Sequence, residues 1–242
     1  MKTVQTLYGV FTLLNNDPDA SIISQNKIPN QVIIDEFVTK YVQSSSAIVH
    51  LGSGNGVLDV YFCRANPSIS IYSFEPREAC FYVIGKNLQD NQIENVMLMN
   101  NALGHMVGPM TVSGTDTLQC DHDDIIELGN GKLVGFNNQF VFLTLDSLNL
   151  LACHIILISL QGYEYITIAG SMQTIKKFKP VIFFRHDEQK NKHVHDMFGI
   201  HNRSVFDLLK KLEYSIEYIR DGYVLATPLV ESDQQQVDMI HM

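Results

Sequence analysis

Short apolar runs alternate with segments of helical period along most of the chain. Ala47-Ile48-Val49-His50-Leu51 has the character of a strand buried on both faces, and Ile155-Ile156-Leu157-Ile158 repeats it. Val181-Ile182-Phe183-Phe184, after Pro180, is a third such run. Ile69 to Phe74 is β-branched and aromatic enough for another strand, and Glu75-Pro76 closes it, with the proline suited to opening a helix that runs to about Asp90. Asn95 to Met99 adds a strand. Helical segments are expected from the glycines after Leu51 to about Ala65, from Glu164 to Thr174, and from about Val205 to Leu212. Tyr214 to Ile219 and Tyr223 to Ala226 flank Asp221-Gly222, a turn pair that predicts a hairpin. Before all of these, Val4, Leu7, Val10, Phe11 and Leu13 read as one strand, followed by a turn cluster at Asn15-Asn16-Asp17-Pro18-Asp19. The stretch from Leu103 to Asn138 reads as hairpins and loops.

Strands alternating with helices define an α/β protein: a doubly wound, mostly parallel sheet that ends in an antiparallel C-terminal hairpin. A chain of 242 residues, 45% hydrophobic, is long enough to bury a sizeable core. With no internal repeat or linker, one domain is expected over 1–242: a lead over 1–46, a core over 47–228 and a loosely ordered acidic, Gln-rich tail over 229–242.

Charge narrows the partners. Seventeen Lys and Arg against 26 Asp and Glu leave −9, which repels phosphate backbones and anionic membranes. A small molecule is the expected partner, with neither nucleic acid nor membrane; the oligomeric state is left open. No apolar run reaches a membrane-spanning length, and Gln5, Thr6 and Thr12 interrupt the N-terminal one. The four cysteines form no C-x-x-C pair, which favours a reduced, cytoplasmic setting.

In an open α/β sheet a ligand lies beyond the carboxyl ends of the strands, where Gly52-Ser53-Gly54-Asn55-Gly56 falls. Glycines there admit a ligand close to the backbone. The dinucleotide pattern G-x-G-x-x-G would need a glycine where Val57 stands, and neither Gly-Lys pair is followed by Ser or Thr, so nicotinamide and P-loop chemistry are disfavoured. Glu75, 23 residues after Gly52 at a predicted strand end, is placed to accept hydrogen bonds from two ribose hydroxyls. Its blander role is to stabilise the start of the following helix.

These residues resemble the FkbM family of S-adenosylmethionine-dependent methyltransferases, and the likeness runs in the family's order over most of the chain. Tyr8-Gly9-Val10-Phe11 is similar to its opening strand, His50 to Gly56 to its glycine motif, and Tyr72-Ser73-Phe74-Glu75-Pro76 to its ribose motif. Lys86-Asn87-Leu88, Asn91, Asn95-Val96 and Asn101-Ala102-Leu103-Gly104 resemble the segment reaching the adenine side. Thr144 to Leu148, Gln161-Gly162-Tyr163-Glu164 and Lys179-Pro180-Val181-Ile182 resemble later signatures. The resemblance implies S-adenosylmethionine as cofactor, held by Gly52, Ser53, Gly54, Gly56, Glu75 and Asn101. It implies O-methylation of a hydroxyl on a small molecule or sugar, with Ser159, Glu164 and His50 as the catalytic candidates.

The chain departs from the family at ionisable positions. His50 replaces an Asp, Gly54 an Asn, and Arg185 a Glu, while Leu157, Ser159 and Gln161 stand in a Lys, Asp, Glu pattern. A catalytically inactive binding or assembly module is therefore the alternative. Methyl transfer to oxygen needs alignment and a base; serine orients but is a poor base, and His50 serves only if it projects into the site. His186, Asp187, His193, His195, Asp196 and His201 cluster in sequence, but the interleaved polar residues read as a solvated loop rather than a metal site. Lys176, Lys177 and Lys179 read as the solvated end of a helix.

Overall fold

A seven-stranded sheet forms the centre of the computed structural model, which describes residues 1–15, 17–111, 139–160 and 162–229. Its parallel strands are β3 (Ala47–Leu51), β4 (Ser70–Phe74), β5 (Val96–Met99), β9 (Ile155–Ile158) and β10 (Val181–Arg185). The hairpin of β11 (Tyr214–Tyr218) and β12 (Tyr223–Pro228) completes it, with β12 antiparallel to β10. The order is β11-β12-β10-β9-β3-β4-β5, so the chain starts in the middle and winds outward twice. The switch in winding falls between β3 and β9, where such sheets hold their ligands.

Every residue of β3 and β9 is buried, as expected of strands covered on both faces. Alternation sends Val49, Leu51, Ile156 and Ile158 to one face and Ile48, Ile155 and Leu157 to the other. The first face packs on α5 (Glu164–Ala169), α6 (Met172–Phe178) and α8 (Val205–Lys211); the second packs on α2 (Gln31–Tyr41) and α3 (Val57–Ala65). A third cluster joins α3 and α4 (Glu78–Asp90) to the N-terminal segment through Phe11, Leu13, Val60 and Ile84.

That segment differs from the single expected strand. It is a hairpin, β1 (Lys2–Thr6) and β2 (Gly9–Leu13), because Thr6 Oγ1 accepts from the N–H groups of Tyr8 and Gly9 and closes a turn inside the apolar run. The lead also holds α1 (Ala20–Ser24) and α2, whose Ile33, Ile34 and Phe37 supply core that a turn cluster would not. The helix expected over 164–174 is two helices. At the break, a Cβ on Gly170 would come 1.8 Å from the Gly104 carbonyl oxygen, so two backbones meet there.

The expected solvated loop near His193 is instead α7 (Glu188–Phe198), capped by the Asp187 carboxylate, which accepts from the Gln189 and Lys190 amides. In the stretch read as hairpins, β7 (Gly108–Thr111) pairs with β8 (Gln139–Leu143), which follows it, and β8 pairs with β6 (Ala102–Leu103), so the three form a small separate sheet. Residues 112–138, Gln161 and the tail after residue 229 lie outside the described residues.

Candidate functional site

The carboxyl ends of β3, β9 and β10 open into a cleft of about 240 Å3, faced across by Asp19, Pro29 and Asn30 of the lead. Strand parity determines what points there. His50 lies two residues after Ile48, Ser159 two after Leu157, and Arg185 two after Phe183, so all three share the α2–α3 face but stand at its open end.

His50 is almost fully buried. Its Nδ1 lies 2.5 Å from Asp59 Oδ1 and its Nε2 lies 3.0 Å from Ser159 Oγ. Asp59 sits in the first turn of α3 and is completely buried; its other oxygen accepts from the Ser73 hydroxyl at 2.6 Å. Ser73 in turn is 2.7 Å from the Ser53 hydroxyl. A carboxylate beside Nδ1 fixes the tautomer: Nδ1–H donates to Asp59, and Nε2 is left to accept from Ser159. Ser159, only partly buried, carries this line of side chains to the cleft.

The glycine loop adjoins it. Gly52, Gly54 and Gly56 have φ of +75°, +59° and +75°, a region open chiefly to glycine, and the turn they make delivers the chain into α3. The Gly54 N–H donates to Glu75 Oε2 at 3.0 Å, which ties the loop to the end of β4. Glu75 is fully buried, and Arg77 covers it: the Arg77 N–H and Nε donate to Oε1 at 3.0 and 2.9 Å, and Nη2 donates to Oε2 at 3.3 Å. Over Gly52 lies Leu160, whose Cδ2 would be 2.4 Å from an added Cβ.

Of the candidates, His50, Ser53 and Ser159 line the cleft together. Gly52, Gly54, Gly56 and Glu75 form the adjoining loop cluster. Asn101 donates to the Val141 carbonyl at 3.2 Å, toward the small sheet. Glu164 is fully buried at the start of α5 and does not line the cleft; its Oε1 accepts from the Gly162 N–H, and its Oε2 has no hydrogen-bond partner among the described residues. Burial pushes its carboxyl up to about 7, with the Gly162 N–H opposing. Asn87 and Asn91, matched to an adenine-side segment, serve the hairpin. Asn87 bonds both backbone groups of Thr12, and Asn91 bonds both of Val10.

Two residues of the site escaped sequence reasoning. Asp59 had one available signal, a carboxylate one position before Val60 on the buried side of a helix that opens beside the glycine loop. Arg77 had none beyond its place after Glu75-Pro76. Among the described residues no group of three or more His, Cys, Asp or Glu side chains is placed to share a metal, and no helix is long and apolar enough to cross a membrane.

No family model matches the chain, and no curated protein matches it by sequence. Solved structures match it in fold. The methyltransferase FkbM from Methylobacillus flagellatus KT is 14% identical with a TM-score of 0.50, over 76% of this chain and 44% of that one. The chain thus spans less than half of that relative's length. A structure named for a caffeoyl-CoA O-methyltransferase of Staphylococcus aureus is 10% identical, also with a TM-score of 0.50, over 87% of this chain and 90% of that one. The fold is the α/β fold, with a mostly parallel central sheet, of class I methyltransferases.

Proposed function

We propose that the chain is an S-adenosylmethionine-dependent methyltransferase acting on a hydroxyl of a small molecule or sugar. The observation that carries this reading is the pairing of the Gly54 N–H with the Glu75 carboxylate, which holds an acid at the end of β4 against a loop of three positive-φ glycines. These residues fit the donor in kind. Glu75 would take the ribose hydroxyls, Gly52 and Gly54 would admit the backbone-facing part, and Ser53 and Gly56 would shape the turn. Arg77 and Leu160 stand in the way, but as side chains rather than backbone. Two ribose hydroxyls would replace the donors that Arg77 now gives Glu75.

The bound donor would supply an electrophilic methyl on a sulfonium. The chain supplies the proton chemistry. His50 Nε2, with Nδ1–H committed to Asp59, is a base at the cleft, and an acceptor hydroxyl taking the place of Ser159 Oγ would give it a proton. A cleft of about 240 Å3 supports the reading of a small acceptor. Titration calorimetry with S-adenosylmethionine and S-adenosylhomocysteine tests the reading. Glu75→Ala, removing charge-assisted bonds of about 1.5–3 kcal/mol, should weaken binding about 10- to 150-fold. Equal affinity in both proteins overturns it.

A second reading, a module without methyl transfer, is favoured by the same Arg77 and Leu160 if they never leave. Failure of the parent protein to bind either nucleoside would select it.

A further inference from the structure

We propose that Ser159, His50 and Asp59 form a nucleophilic triad, making the cleft an acyl-transfer site that cleaves small carboxylic esters without a methyl donor. The three side chains stand in the order such chemistry needs. Ser159 Oγ is 3.0 Å from His50 Nε2, and His50 Nδ1 is 2.5 Å from Asp59 Oδ1. These roles recur on unrelated folds because only the geometry matters.

Burial is graded in the same order. Asp59 is closed off entirely and His50 nearly so, while Ser159 is partly exposed at the cleft wall. Asp59 also accepts from the Ser73 hydroxyl on its second oxygen, which leaves Oδ1 to the imidazole. Ser159 directly follows β9; its own N–H is held on the Leu51 carbonyl, so its main chain stays in register with β3 while Oγ lies 3.0 Å from His50 Nε2. Arg185, the one Lys or Arg among the described residues lining the cleft, holds its Nε on the Asp221 carbonyl at 3.1 Å and puts positive charge at the cleft wall, which would favour a developing oxyanion.

The step balances within these groups. Ser159 Oγ bonds to the ester carbonyl carbon as its proton passes to His50 Nε2, and Asp59 stabilises the imidazolium. The carbon–oxygen bond to the alcohol then breaks, the Nε2 proton leaves with the alcohol, and the acyl group remains on Ser159. Water adds to that acyl carbon as it gives a proton to Nε2; the carbon–Oγ bond then breaks, the Nε2 proton passes to Ser159 Oγ, and the acid leaves with the hydroxyl restored.

The test uses the full chain with no methyl donor present. A dialkyl fluorophosphate should phosphorylate one residue stoichiometrically, located at Ser159 by peptide mass spectrometry, and p-nitrophenyl acetate should be turned over with an initial burst. Ser159→Ala should lose both label and burst while keeping its melting temperature. Asp59→Asn should lower kcat/KM by about 10²- to 10⁴-fold. An unlabelled Ser159 in the folded parent, or ester turnover unchanged in Ser159→Ala, overturns the proposal. Donor titration is a separate measurement, so either activity can fail without the other.

Discussion

Arg77 lies across Glu75 so that its Nε and main-chain N–H both donate to Oε1 while Nη2 reaches Oε2, and the carboxylate is wholly enclosed. An acid so enclosed is charge-neutralised and structurally useful, yet it has no oxygen turned toward a ligand. Any ribose must therefore compete with a guanidinium that is covalently two residues away.

Removing the competitor should help the donor. In Arg77→Ala the main-chain N–H still holds Oε1 and Gly54 still holds Oε2, but the two side-chain donors are gone, leaving acceptor capacity for hydroxyls. Charge-assisted bonds of about 1.5–3 kcal/mol are relieved, partly offset by a less compensated buried charge, so affinity for S-adenosylhomocysteine should rise about 10-fold. Calorimetry on the two proteins checks this. Unchanged or weaker binding would show that Arg77 is not the obstacle.

A different buried network governs the lead. Asn87 Oδ1 accepts from the Thr12 N–H at 2.7 Å, and its Nδ2 donates to the carbonyls of Thr12 at 3.0 Å and Asn55 at 2.8 Å, so one amide joins β2, α4 and the glycine loop. Asn87→Ala would strand three main-chain groups among buried residues. At about 1 kcal/mol or more for each, the loss should reach about 3 kcal/mol, read as a lower urea midpoint at unchanged slope. A loss under about 1 kcal/mol would mean that water takes over the bonds.

The strands of the central sheet were legible because β3, β9 and β10 are continuous apolar runs, and only a sheet covered on both faces calls for that pattern. The hairpin at Asp221-Gly222 was legible from turn chemistry. The N-terminal hairpin was not, since its turn depends on a hydroxyl contact at Thr6 rather than a turn dipeptide. Nor was the break at Gly170, which is imposed by a backbone 66 residues earlier in the chain. At the site, the buried runs were legible but the direction of His50 and Ser159 was not; the register of β3 against β9 puts both on one face. The group that gives His50 its orientation is Asp59, and the contact depends on how α3 returns over the sheet, a tertiary fact. Glu75 was legible as a strand-end acid, but its cover by Arg77 was not.

Glu164 makes stability depend on pH. Its carboxyl is buried at the start of α5 with one oxygen unpartnered among the described residues, and burial raises it from the ordinary 4.5 to about 7. The folded chain thus holds this proton more tightly than the unfolded chain does. Below about pH 4.5 both states are protonated and the group costs nothing. Between about 4.5 and 7 the unfolded chain ionises first, so this contribution falls as pH rises, and above 7 the penalty levels off at about 3 kcal/mol. Glu164→Gln keeps the acceptor for the Gly162 N–H and cannot ionise, so its stability should lack this fall. Urea unfolding of both proteins at pH 5, 6, 7 and 8 measures it: the difference between them should move in favour of the glutamine variant as pH rises. A difference constant over that range would mean that Glu164 is either hydrated or already ionised in the folded chain.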